Sequence, residues 1–108
     1  MTKEYLLILT TWPDEAGAGK IAERLVGDRL AACVSIQARM TSVYEWDGEP
    51  CRGEEHLLLI KTRAARYADI EALIRESHPY ELPEIIAVPL SHGLAPYLNW
   101  IDLQTTSS

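Results

Sequence analysis

The densest run of chemistry-bearing side chains in the sequence is Ser77-His78-Pro79-Tyr80-Glu81-Leu82-Pro83-Glu84. An imidazole, a phenol and carboxylates on a connection stiffened by two prolines could offer nitrogen and oxygen donors to a borderline divalent ion such as copper. The same residues also read as a helix terminator, in which His78 caps the last carbonyls and Tyr80 packs at an edge. Cys33 follows Ala31-Ala32 at the start of an expected strand. A free cysteine in that setting is more often a small hydrophobe than a ligating thiol. Tyr44 and Trp46 stand near an expected hairpin tip, where aromatic side chains anchor interfaces more often than they wall a ligand cage. Glu54-Glu55-His56 has ligand types but reads first as solvated charge at a strand start, and Ala16-Gly17-Ala18-Gly19-Lys20 lacks the spacing of a phosphate loop.

Several chemistries are excluded by what is missing. No Ser/His/Asp or Cys/His set can be assembled from the spacing, and Cys33 and Cys51 are too few and too far apart in sequence for a zinc site or a disulfide framework. The loop Thr11-Trp12-Pro13-Asp14 has no arginine to cradle an acyl phosphate. His56 to Thr62 has no aromatic residue on which an RNA base could stack.

The elements that would position these groups follow from periodicity. Tyr5 to Thr11 is a short apolar run bounded by Pro13 and reads as a first strand. Asp14 can cap a helix whose apolar face is Ala18, Ile21, Ala22, Leu25 and Val26, with Gly27 as its stop. Ala31 to Trp46 favours strand, Asp47-Gly48 is the dipeptide of a type I′ hairpin, and a returning strand runs to Thr62. That register places Cys51 opposite Tyr44, roughly 36 Å from Cys33 at ~3.3 Å per residue, so the two cysteines are not expected to bridge. Tyr67, Ile70, Leu73 and Ile74 form a helical stripe ended by His78-Pro79, and Ile85 to Val88 is a fourth strand whose Pro89 suits a sheet edge. Tyr97, Leu98, Ile101 and Leu103 suggest a short last helix with Pro96 in its first turn. The order β-α-β-β-α-β plus a helix is an α+β, ferredoxin-like arrangement with the first and third strands central. Leu6-Leu7-Ile8-Leu9 and Leu57-Leu58-Leu59-Ile60 do not alternate, so both faces of the antiparallel sheet should be covered, and self-association is the economical cover.

Composition agrees with one globular core: 108 residues, 47% hydrophobic and 24% charged, with a net charge of −6 that repels a nucleic-acid backbone. No apolar run approaches the ~18 residues of a membrane span, and the first residues do not make a secretory leader. A cytoplasmic location with reduced thiols is therefore expected. Residues 1–104 are expected to form one domain and 105–108 a disordered polar tail.

Arg29-Leu30-Ala31-Ala32-Cys33-Val34, Ser42-Val43-Tyr44-Glu45-Trp46-Asp47-Gly48, Lys61-Thr62, His78 to Ile85 and Tyr97-Leu98-Asn99-Trp100 together resemble the CutA divalent cation tolerance proteins, in order from the first strand to the last helix. The resemblance implies a ferredoxin-like subunit in a tight homotrimer, built like the PII signalling proteins and serving tolerance to copper and other divalent ions. It also implies copper ligands at a cysteine near the end of the first strand and at two adjacent histidines before a Pro-Tyr pair. Those positions are Thr10, Ser77 and His78 here, so only His78 matches, and a hydroxyl is a poor substitute for thiolate or imidazole. Binding of Cu²⁺ or another divalent cation is expected to be weak, with no cofactor required and no enzymatic activity. The expected site is a cleft near the subunit boundary with Cys33, Lys61, Tyr80, Glu84, Tyr44 and Trp46 around it. The alternative is a PII-like module in which a small anionic effector docks there against Lys61.

Overall fold

Strand β1, Tyr5–Trp12, runs through the middle of the sheet in a computed structural model that describes residues 4–106. It pairs antiparallel with β4, Glu49–Arg63, on one side and with β5, Ile85–Pro89, on the other. The expected continuous strand from Ala31 to Trp46 is instead two strands, β2 at Cys33–Ile36 and β3 at Met40–Trp46, which both pair with the long β4. The sheet order is β2-β4-β1-β5, with β3 extending the β2 edge, so the first strand and the long return strand are central as expected. Pro89 closes the edge strand, where its missing N–H costs no ladder bond.

Asp47 and Gly48 take φ of 53° and 79°, the two positive values that a two-residue type I′ turn requires. The register from that turn holds to Met40 opposite Glu55, and Cys51 stands opposite Tyr44. Between Ile36, opposite Leu58, and Met40, opposite Glu55, three residues face only two, His56 and Leu57. This is a bulge. The His56 ring pins it by donating from Nδ1 to the Gln37 carbonyl at 3.0 Å.

Helix α1, Glu15–Gly27, starts where the Asp14 carboxylate accepts from the Gly17 N–H at 2.7 Å. Gly17 also lies under Trp12: a Cβ there would come within 2.7 Å of the indole. Gly17 therefore admits a tryptophan and a cap, and no anion is needed to explain it. The helix stops through Arg29, at φ 61°, and not at Gly27, which remains helical; Val26 is 44% exposed and lies off the buried face. Helix α2, Tyr67–Ser77, follows a 3-10 turn at Ala64–Arg66. Ala18, Ile21 and Leu25 of α1 and Ile70, Leu73 and Ile74 of α2 pack with Ile8, Leu58 and Ile60 on one sheet face. Burying each such aliphatic side chain is worth about 1.5–3 kcal/mol.

Helix α3, Ala95–Gln104, buries Ile101 and Asp102, while Leu103 is 61% exposed. Contrary to the expected frayed tail, Thr105 is fully buried and Thr106 is tied down. Arg63 donates to the Thr105 hydroxyl and carbonyl at 2.7 Å each, Arg66 donates to the same carbonyl, and Arg29 holds the Leu103 and Thr106 carbonyls at 2.6 and 3.0 Å. The guanidinia satisfy a helix C-terminus that has no glycine cap. Ser107 and Ser108 lie outside the described residues.

The other sheet face lies opposite α1 and α2 and meets α3 at its Tyr5–Arg63 end, where Tyr5 reaches Asp102 and Arg63 reaches Thr105. Leu7, Leu9, Leu57 and Leu59 lie there half-buried, flanked by Ile86 and Val88 at 51% and 44% exposure. Leu58 belongs to the opposite, helix-covered face at 0% exposure.

Candidate functional site

The sequence reading placed a metal ligand at His78, and the structure gives that ring another task. Its Nε2–H donates to the Thr11 carbonyl at 2.7 Å, and its Nδ1 accepts from the Tyr80 N–H at 3.0 Å. A carbonyl can only accept and an amide N–H can only donate, so the pair of bonds sets the tautomer and uses both nitrogens. The ring is 9% exposed and packed between Trp12 and Tyr80, tilted 50° and 51° to them with centroids 4.2 and 4.8 Å away. His78 thus locks the chain leaving α2 onto the end of β1. No lone pair is left for an ion.

Thr10 and Ser77 do not complete a ligand set around it. The Thr10 side chain is 0% exposed, on the helix-covered face between Leu58 and Ile85, and its hydroxyl has no hydrogen-bond partner among the described residues. Ser77 is exposed at the end of α2. Among the described residues no cluster of three or more His, Cys, Asp or Glu is arranged to hold a metal ion.

What the His78 lock does position is the loop that follows, which forms one wall of a groove of about 660 Å³. Tyr80, Glu81, Leu82 and Glu84 come from that loop, and Thr11 from the end of β1. The opposite wall is the β3–β4 hairpin. Tyr44 and Trp46 project from β3 on the same side as Cys51 and Glu55 from β4, because directly paired residues share a face. Gly53 lies between Cys51 and Glu55, and the Tyr44 ring passes across it, its hydroxyl 3.5 Å from where a Cβ would be, an ordinary van der Waals distance.

Four expected cleft residues, Tyr44, Trp46, Tyr80 and Glu84, do converge here. Cys33 and Lys61 do not. They form a separate group on the sheet face opposite α1 and α2, where the Lys61 ammonium donates to Ser35 Oγ at 2.7 Å and lies 3.9 Å from Cys33 Sγ. Along β4 that is roughly 20 Å from Glu55, at ~3.3 Å per residue. Cys33 is half-buried there and not a core residue.

Glu55 is the residue that the sequence reading undervalued. It stands in the middle of β4, not at a strand start, and its carboxylate accepts from Thr11 Oγ1 at 3.1 Å. Glu54 points to the other side, where Arg39 meets it at 2.9 Å. Period-two alternation in a strand beginning at Glu49 was the signal that could have separated the two carboxylates. The Tyr80 phenol is held above the ordinary range by burial first, then by the charge of Glu55 and the neighbouring Tyr44. It stays a neutral donor.

A ferredoxin-like α+β fold with a long antiparallel hairpin and an acidic, aromatic groove beneath it is the class that this geometry defines. The family described as CutA1 divalent ion tolerance protein matches residues 6–104, and the chain belongs to that family. The divalent-cation tolerance protein CutA of Thermus thermophilus is 42% identical over 99 residues, which is 92% of this chain and 96% of that protein. Mouse protein CutA is 41% identical over 97 residues, covering 90% of this chain and 55% of the mouse protein, so the chain spans little more than half of that relative. Among solved structures, CutA1 from Shewanella sp. SIB1 superposes with a TM-score of 0.94 at 44% identity, covering 99% of this chain and all of that one. No helix among the described residues is long and apolar enough to cross a membrane.

Proposed function

We propose that this chain serves divalent-cation tolerance as a non-enzymatic homotrimeric module, in which Cu²⁺ or another divalent ion is held weakly at the carboxylates of the hairpin groove. The observation that carries this reading is the charge of the lining. Glu55, Glu81 and Glu84 face the groove, and no lysine or arginine among the described residues does. Oxygen donors that do not converge on one point give low affinity for copper, which prefers imidazole and thiolate. The same charge weighs against a small anionic effector, since Lys61 is engaged by Ser35 at the far end of β4.

The apolar part of the sheet face opposite α1 and α2, around Leu7, Leu9, Leu57 and Leu59, supports self-association. Its leucines would otherwise be presented to water, and a second copy carries the matching surface. The groove borders this face through Thr11 and Glu55, so a subunit boundary would pass beside it.

Calorimetric titration with Cu²⁺ tests the reading. Weak binding is expected, lost in Glu55→Gln together with Glu84→Gln. The electron paramagnetic resonance spectrum of the adduct should show oxygen ligation. Nitrogen splitting that disappears in His78→Gln would overturn the proposal.

A further inference from the structure

The loop between α2 and β5, residues 79–84, has one main-chain amide tied to the fold. Pro79 and Pro83 have no N–H, and of the remaining amides only that of Tyr80 hydrogen-bonds to another described residue, donating to His78 Nδ1 at 3.0 Å. An amide donating to a side-chain acceptor two residues back is the bond of an Asx turn, made here by an imidazole. On its other side the ring is held to β1, where Nε2–H donates to the Thr11 carbonyl at 2.7 Å. Both bonds are made within one copy around a buried ring, so they do not depend on what covers the groove.

The two bonds respond to a proton in opposite ways. Nε2–H donates to a carbonyl whether the ring is neutral or charged, whereas Nδ1 accepts only while it carries no proton. Once protonated it is a second donor aimed at the Tyr80 N–H. The groups around the ring do not make good that loss. β1 presents the Thr11 carbonyl and the Trp12 indole, α2 presents the Ile74 carbonyl that takes the His78 main-chain N–H at 2.8 Å, and the loop presents the Tyr80 phenol. Gly17 of α1, with the Asp14 carboxylate beside it, lies against Trp12. Glu55 of β4 reaches the ring's neighbours, through Thr11 Oγ1 at 3.1 Å and by its charge on the Tyr80 phenol. Glu76 and Glu81 flank His78 in sequence, yet among the described residues no carboxylate or cation forms an ion pair with the ring. A buried charge without a partner is costly, and lifting the loop away admits water to it.

We propose that His78 is an acid-released latch: neutral, it holds residues 79–84 to β1, and protonated, it keeps its bond to β1 and lets the loop go. Release withdraws Tyr80, Glu81 and Glu84 from the wall opposite the hairpin, so acid opens the groove. The latch does not depend on what the groove binds, and it is tested without metal.

The test is amide hydrogen exchange of the metal-free full chain by two-dimensional NMR at about pH 7.5 and about pH 5, either side of the ordinary imidazole pKa of about 6.5. Corrected for its intrinsic rate, the Tyr80 amide is expected to lose about tenfold or more of its protection at the lower pH. His78→Asn offers an Asx-turn acceptor that takes up no proton in this range, so its Tyr80 protection should stay within about twofold. On the native chain the ¹⁵N resonances of the His78 ring should pass to the doubly protonated pattern with the same midpoint, a measurement that stands even where His78→Asn does not fold. Unchanged Tyr80 protection in the native chain overturns the proposal. So does an equal fall in His78→Asn, which would assign the opening to the carboxylates of the loop. A ring that takes up its proton while Tyr80 stays protected overturns it as well.

Discussion

Two buried side chains near the end of β1 have roles that their residue types do not announce. The Thr10 hydroxyl is enclosed without a partner among the described residues. An unsatisfied buried hydroxyl costs about 1–3 kcal/mol, and an apolar replacement of the same shape removes that cost. Thr10→Val is therefore expected to raise stability by about 1 kcal/mol, measured by chemical denaturation. His78 is the opposite case, with both nitrogens bonded and the ring packed on Trp12. His78→Ala leaves the Thr11 carbonyl and the Tyr80 N–H unpaired around a cavity, and should lower stability by about 3 kcal/mol. A loss below about 0.5 kcal/mol in the same denaturation experiment would show that the imidazole is not a structural clamp.

At the scale of elements, the anchoring of α3 predicts an alkaline limit. The Tyr5 phenol donates to Asp102 at 2.6 Å, and that hydrogen bond, followed by burial and the Asp102 charge, raises its pKa above the ordinary 10.0. Tyr67 is raised too, chiefly by burial and then by its hydrogen bond to Glu71. A folded-state pKa above the unfolded one contributes stability that is complete below pH 10 and is lost as pH rises through the folded value. Stability should therefore fall above about pH 10, and Tyr5→Phe should flatten that fall in denaturation curves taken across the range. Local signals made the hairpin legible in the sequence: Asp47-Gly48 set the turn and the register of Tyr44 against Cys51. The end of α3 was not legible, because the groups that hold Thr105 and Thr106 are Arg29, Arg63 and Arg66, which arrive through tertiary packing and leave no mark near the polar tail. The site was half legible for the same reason. Tyr44, Trp46, Tyr80 and Glu84 could be named by type, but Lys61 and Glu55 lie on one long strand whose length placed them roughly 20 Å apart.

For the whole molecule the two sheet faces make distinct predictions. Leu58 is enclosed by the helices, so Leu58→Asp should prevent folding. Leu57 and Leu59 lie on the sheet face opposite α1 and α2. Leu57→Asp is expected to leave secondary structure measurable by circular dichroism while shifting light scattering from three subunits toward one. A native chain that scatters as a well-folded monomer would refute the covered-face argument. The molecule's extents of 46 × 26 × 23 Å fit the same view. The long dimension accommodates a two-stranded ribbon whose Val43, Tyr44 and Trp46 are at least half exposed, and an isolated ribbon of two strands is marginal in water.

The bulge at residues 37–39 also acts as a phase shifter. Upstream of it the odd-numbered residues, Cys33 and Ser35, share the face of Lys61; downstream the even-numbered ones, Tyr44 and Trp46, share the face of Cys51 and Glu55. The extra residue keeps both halves in step with one unbroken partner strand. Connections on a protein surface usually absorb insertions and deletions, yet this one counts parity. Removing Ala38 would either rotate Val43 and Glu45 toward the groove and turn the aromatic rings away, or force the Asp47-Gly48 turn to slip. Differential labelling should find Cys51 more reactive in the deletion variant, with Tyr44 no longer beside it. The short stretch before β3 is thus under a length constraint as strict as any in the core, although nothing in its own side chains declares it.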